Sequence, residues 1–336
     1  MQIGFHLTPF WSPTDRSATA VIDDAIEVVR AASAMGFAWV SLGHHWISHP
    51  TVWPQPIPLL ARLAPETGDL RLKTSMLLLP LLNPVDVAEN VATLDHLTHG
   101  RLDVGVAIGY RERELEAAGL TRKDRVPRLE ESLDVMKRLW RGDEVTLDGA
   151  CTKLTAARLG FTPYQRPHPP IEMGAQSVGA TRRAARLADA VFFGPQVSWA
   201  DVGRLVGVYR EARAALGADT AGRALASRSL IVGASKETAR AAAHAYLERT
   251  FAMYRGWEMQ EPTMVPLQLG FDAGLDDWTI NGTAADCVEA IACARALGLD
   301  GIGLSIGSLP RGVGARIEYL QMIAEDIVRP ASAPGA

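Results

Sequence analysis

The chain has 336 residues, enough for one (β/α)8 barrel or two ordinary domains, and its 34 Lys and Arg against 38 Asp and Glu give a net charge of −4. That balance provides no field for gathering nucleic acid or an anionic membrane, and it points to a small, uncharged or mixed partner. Three cysteines, Cys151, Cys287 and Cys293, lack CxxC spacing, which argues against a disulfide framework or a thiolate metal site and fits a reducing compartment.

The opening stretch MQIGFHLTPFWSPTDRS has no basic lead and no long apolar core, and no run of about 18 apolar residues follows, so a cytoplasmic, unexported protein is expected. QIGFHL (2–7) reads as the first strand. Val21, Ile22, Ala25, Val28, Val29 and Ala32 fall at helical spacing within 18–35, and Gly36 stops that helix. FAWVSL (37–42) is the second strand, followed by a helix over 57–66. RLKTSMLLL (71–79) ends in a continuous apolar run that suits a strand buried on both faces. Asn83 then caps a helix whose first residue is Pro84 and which runs to Leu97, and RLDVGVAIG (101–109) is the fourth strand.

A strongly amphipathic helix spans 124–139, and the prolines of 144–170 mark an excursion of short strands and loops. IEMG (171–174), a helix over 179–187, AVFFG (190–194), a helix over 199–216, SRSLIVG (227–233) and a helix over 237–250 resume the alternation. Residues 251–282 show no clear period and are expected to form a long irregular insertion that acts as a lid. A helix over 284–297, the strand DGIGLSIG (300–307), a terminal helix over 313–327 and a disordered tail at 331–336 complete the chain. Eight strands without a Gly/Ser or Pro-rich divider predict a single TIM-barrel domain over 1–330, with insertions at about 145–168 and 251–282.

In such a barrel the chemistry sits at the C-terminal ends of the strands. Those ends carry His6 and Thr8, Gly43-His44-His45-Trp46, Ser75-Met76, Ile108-Gly109-Tyr110 and Gln176-Ser177. The three histidines raise a metal site, but His6 is not part of a His-x-His pair and the later strand ends add no ligand, so no metal is expected. His45 reads as a packed, hydrogen-bonded neighbour of His44, and His44 as the functional group. Ser177, Val178 and Gly179 open a helix whose exposed N–H groups suit a phosphate, with Arg182 or Arg183 adding charge; the plainer reading is an ordinary helix cap. No G-x-G-x-x-G follows the first strand and no Walker sequence occurs, which disfavours a nucleotide-fold dehydrogenase.

Four stretches carry a resemblance that spans nearly the whole chain: WVSLGHHW (39–46), the run from LLLPLLNPVDVAEN to RERELEAAGL (77–120), RVPRLEESLDVMKRLWRGDEVTLDG (125–149) and PHPPIEMGAQSVGATRRAARLADAVFF (167–193). Together they resemble the luciferase-like flavin oxidoreductases. The resemblance implies reduced FMN, or in a sister branch coenzyme F-420, lying across the strand ends. It also implies a cis peptide at Ser75-Met76 beneath the ring, phosphate contacts from Arg128 and the 177–182 segment, and His44 as the proton-shuttling residue. His6, Gly109, Tyr110 and Gln176 complete the implied cofactor lining. Departures at Gly43 and Ile108, where relatives carry an acidic residue and the luciferases an arginine, argue against transferring light emission. The implied activity is oxygenation of a small organic substrate with flavin delivered by a separate reductase; the alternatives are deazaflavin-dependent hydride transfer and a non-catalytic flavin-binding protein. A homodimer is implied by resemblance alone, and Met76, Trp46, Trp53, Trp257 and Trp278 are candidates for an apolar enclosure.

Overall fold

The computed structural model describes residues 1–7, 17–217, 222–256, 271–307 and 309–333. Eight parallel strands close a cylinder: β1 (Gln2–His6), β2 (Trp39–Leu42), β3 (Arg71–Leu78), β4 (Leu102–Ala107), β7 (Ile171–Gly174), β8 (Ala190–Phe193), β9 (Arg223–Val232) and β11 (Gly301–Ile306), with β9 sealing it against β8 and β11. The 144–170 excursion supplies the antiparallel pair β5 (Val145–Asp148) and β6 (Lys153–Ala157).

Helices between the strands bury one face each on the cylinder. They are α1 (Ala18–Ala32), α2 (Pro56–Leu63), α3 (Pro84–Leu97), α4 (Glu112–Ala117), α5 (Arg125–Arg141), α6 (Val178–Leu187), α7 (Trp199–Ala215) and α8 (Lys236–Gly256). The Asn83 carboxamide accepts from Val85 N at 2.9 Å with Pro84 next to it, the predicted start of α3. Val40, Leu72, Val104, Ile171, Val191, Ala224 and Ile302 on the strands have no exposed surface and form the wall between cylinder and helices.

Of the 251–282 stretch expected to form an irregular lid, residues 257–270 lie outside the described residues, and the described parts on either side are regular. α8 continues to Gly256, and α9 (Phe271–Trp278) leads into β10 (Thr279–Gly282), which pairs with β9 at Ser229–Val232. Ser229 and Leu230 thus bond β11 on one edge and β10 on the other, so the end of β9 is not left as an open edge. Trp257 and Thr8 lie outside the described residues. α10 (Ala284–Ala296) precedes β11, and α11 (Val313–Ile323) and α12 (Arg329–Ser332) follow it. Ala331 is buried in α12, so the order of the chain extends past the predicted start of the tail. No described helix is long and apolar enough to cross a membrane.

The cylinder's interior differs between its two ends. At the N-terminal end, a Cβ on Gly4 would lie 2.3 Å from the Trp39 indole and one on Gly301 2.9 Å from it, so two glycines make room for one tryptophan to fill the axis. Lys73 Nζ sits 4.0 Å from the centre of that ring, 2.6 Å from Glu172 and 3.2 Å from Asp103; Arg71 bonds Asp103, and Arg223 lies 3.6 Å from Glu172. The C-terminal end, with His6, Met76 and Phe192 around it, holds the candidate site.

Candidate active site

The floor of the mouth is apolar. Met76 packs with Ala190, Phe192 and Leu225, and its sulfur occupies space that a Cβ on Gly105 would invade at 2.6 Å. The Ser75-Met76 peptide is cis and lies where the β3–β4 register shifts between Thr74 and Leu77. His6 leans over Gly303, whose Cβ would come within 2.7 Å of Nε2; its Nδ1 meets Ser41 Oγ at 2.5 Å and its ring stands edge-on to Phe192. Burial, with Lys73 beneath, pushes the His6 pKa down to about 4, so the ring is neutral.

His44 is buried on the loop after β2, and the Leu78 N–H donates to its Nδ1 at 3.1 Å. That bond fixes the neutral ring with its proton on Nε2. Burial first, and the neighbouring His45 second, push the His44 pKa down to about 4, while Glu114 and Gln55 pull the other way. His45, read from the sequence as a packed, hydrogen-bonded neighbour of His44, meets Glu114 Oε1 through its Nδ1 at 2.9 Å. The same carboxylate oxygen accepts from Trp46 N at 2.9 Å and Arg111 Nη1 at 3.2 Å. Burial opposes ionisation of Glu114, but these donors outweigh it and hold the carboxyl below its ordinary range. Trp53 Nε1 donates to Gly43 O at 3.0 Å, and a Cβ on Gly43 would come 2.7 Å from the indole, so glycine is required for this closure.

At α6 the junction is a serine-capped helix start. Ser177 Oγ accepts from Ala180 N, which leaves the N–H groups of Val178 and Gly179 without an intrahelical acceptor, and a Cβ on Gly179 would meet only open space. Gln176 and Arg182 are exposed beside it. Arg183 is instead committed to Glu130 at 3.0 Å. Arg128 reaches from α5 to Pro80 O at 2.9 Å, and Gly109, at φ +75°, gives its carbonyl to Arg125.

The apolar floor at Met76 and Phe192 and the exposed N–H groups that open α6 are chemically suited to a flavin or deazaflavin with an anionic tail. The family model for luciferase-like monooxygenases matches residues 1–301. The chain belongs to that family. Its luciferase-like relatives include the oxygenase component of flavin-dependent trigonelline monooxygenase of Acinetobacter baylyi, 31% identical over 46% of this chain and 43% of that one. Another is the F420-dependent glucose-6-phosphate dehydrogenase of Nakamurella multipartita, 33% identical over 47% of this chain and 48% of that one. Each match therefore spans less than half of either relative. The oxygenating constituent of 3,6-diketocamphane monooxygenase from Pseudomonas putida, solved with FMN, superposes over the whole of both chains with TM-score 0.83 at 17% identity, which shows the shared fold.

Among the described residues no group of three His, Cys, Asp or Glu side chains is placed to hold a metal. Trp278 belongs to a buried cluster with Phe251 and Leu275, so it is core. Glu114 and Arg111 are not evident from the sequence; the one available signal is the charge run Arg111-Glu112-Arg113-Glu114 directly after a strand end. A cavity of about 440 Å3 lined by Gln2, Gly36, Ala38 and Asp300 lies at the opposite, N-terminal end of the barrel, away from these groups.

Proposed function

We propose that the chain is the oxygenase component of a two-component monooxygenase that takes reduced FMN from a separate, transiently bound reductase and uses dioxygen to oxygenate an organic molecule of moderate size. Reduced flavin, when bound, supplies the two electrons that activate dioxygen. Met76, Ser75, His6, Gly109 and Tyr110 would line its ring, and Arg128, Gln176, Ser177, Val178, Gly179 and Arg182 its phosphate tail. Trp46 and Trp53 exclude water beside the reacting atoms.

One observation carries the assignment of His44: a buried imidazole, kept neutral, with Nδ1 engaged by Leu78 and the proton left on Nε2. Such a ring holds a hydrogen bond at Nε2 and exchanges that proton with an oxygen beside it. Replacement by alanine is expected to lower oxygenation by about 10²–10⁴-fold, the usual worth of a positioned acid or base, with FMN affinity retained. The test is anaerobic titration with reduced FMN, then product analysis after air is admitted, across a panel of moderate-size organic compounds.

The similarity to the F420-dependent dehydrogenase favours a second reading, hydride transfer with a deazaflavin and no use of oxygen. Tight binding of coenzyme F-420 with oxygen-independent turnover would establish it. FMN binding with no turnover on any compound would leave a flavin-binding protein. Sedimentation and cell fractionation test the accompanying expectations of a homodimer and a cytoplasmic location.

A further inference from the structure

Side chains from two separate loops meet beside His44. Glu114, on α4, gathers His45 Nδ1, Trp46 N and Arg111 Nη1 on a single oxygen. An ionised carboxylate only accepts, so the His45 proton sits on Nδ1 and its Nε2 presents a lone pair. That lone pair lies 3.4 Å from the Tyr110 hydroxyl, and the two rings stand edge to face at 5.6 Å. His44 is held the other way round, accepting on Nδ1. The two consecutive histidines therefore carry opposite tautomers, one offering N–H at Nε2 and the other a base. Tyr110 also packs against the cluster of Ile231, Leu247, Phe251 and Leu275, so its ring reaches from the end of β4 towards β9 and α8, across the mouth.

We propose that Glu114, His45 and Tyr110 form a proton relay facing the mouth, in which His45 Nε2 takes the phenolic proton of Tyr110 while Tyr110 takes the proton of a hydroxyl on the bound organic substrate. Two O–H bonds break, on substrate and on Tyr110. A new Tyr110 O–H and a His45 Nε2–H form, leaving an oxyanion on the substrate and an imidazolium balanced by the Glu114 carboxylate, and no electron changes hands. Glu114 is a positioning residue that acts through His45. The relay rests on the mouth being the site where substrate binds, but its geometry can be tested with neither cofactor nor substrate, so its failure would leave the FMN proposal standing.

The test uses the full chain labelled with 15N-histidine and 13Cζ-tyrosine. The charged and titratable groups facing His45 include His44 on its own loop and Tyr110, Arg111 and Glu114 after β4. Long-range proton–nitrogen spectra are expected to show His45 protonated on Nδ1 and His44 on Nε2, and the Tyr110 Cζ resonance should move in His45→Phe, which removes its hydrogen-bond partner. Glu114→Ala, which removes the acceptor at His45 Nδ1, should abolish the preference of His45 for the Nδ1–H tautomer. Tyr110→Phe should leave both tautomers in place. A His45 proton on Nε2 in the wild-type protein, a Tyr110 resonance unmoved in His45→Phe, or an Nδ1–H tautomer unchanged in Glu114→Ala overturns the relay. Should Glu114→Ala fail to fold, the wild-type spectra decide.

Discussion

The two ends of the barrel interior solve the same problem, polar groups inside a cylinder, in opposite ways. At the N-terminal end Lys73, Arg71 and Arg223 meet Asp103 and Glu172, and the axis is plugged by Trp39. Every charge there is spent on another charge. At the C-terminal end His6 and His44 are kept neutral, and Gly43, Gly105 and Gly303 leave the axis free of side chains of their own. Charge compensation closes one end, whereas at the other the room beside the glycines is taken by Trp53, Met76 and His6, and the imidazoles are held neutral by burial.

The largest expected effect breaks the closed end. Lys73→Met would leave Asp103 and Glu172 facing each other in a site that excludes water, and removing one partner of a buried ionic group costs about 3–5 kcal/mol. Chemical denaturation should show that loss. A loss under about 1 kcal/mol would mean that Arg71 and Arg223 alone neutralise the pair.

The next effect concerns the open end and depends on pH. The unfolded His44 titrates near 6.5 and the folded one at about 4, so between these values the unfolded chain binds more protons and stability falls as pH falls. The contribution is fully present above pH 6.5 and is lost by pH 4, an upper bound of about 3 kcal/mol for this shift. His6 adds in the same direction, while Glu172, whose carboxyl burial pushes up, acts oppositely. His44→Gln, which can still accept the Leu78 N–H, isolates the term: its denaturation midpoint should vary less between pH 7 and pH 5 than that of the wild type. Equal slopes would show that His44 is not held neutral.

The contrast between the ends was only partly legible in the sequence. The strands, the Asn83 cap and the Ser177 junction were readable because each depends on neighbours within a few residues. Lys73, Asp103 and Glu172 gave no such signal: each sits in a run that reads as an ordinary strand, and only closure of the cylinder turns all three to one axis. Glu114 meets His45 across 69 positions, a distance no local pattern spans. β10 was hidden for another reason, since Thr-Ile-Asn-Gly is short and mixed, and pairing with β9 rather than intrinsic preference makes it a strand.

A smaller pair of effects uses glycines to compare the ends directly. A Cβ at Gly4 would press on Trp39, and one at Gly105 would lie 2.2 Å from the Thr74 carbonyl oxygen and against Met76. Overpacking of this kind costs about 1–3 kcal/mol, so both alanine variants should lose comparable stability. Only Gly105→Ala should also weaken FMN binding, because it displaces the floor on which the ring would rest. If Gly4→Ala weakened it equally, the two ends would not be independent.

The smallest effect separates a cap that serves a ligand from one that serves only its helix. Ser177 caps α6 beside the mouth, and Thr283 caps α10 with a reciprocal bond from Asp286. Removing either hydroxyl should cost about 1 kcal/mol of stability. Ser177→Ala should in addition weaken FMN by about three- to tenfold, the worth of one hydrogen bond, and should not change the affinity for riboflavin, which lacks the phosphate. Thr283→Ala should leave both affinities unchanged. Equal weakening of FMN and riboflavin by Ser177→Ala would place the phosphate elsewhere and assign that serine to the helix alone.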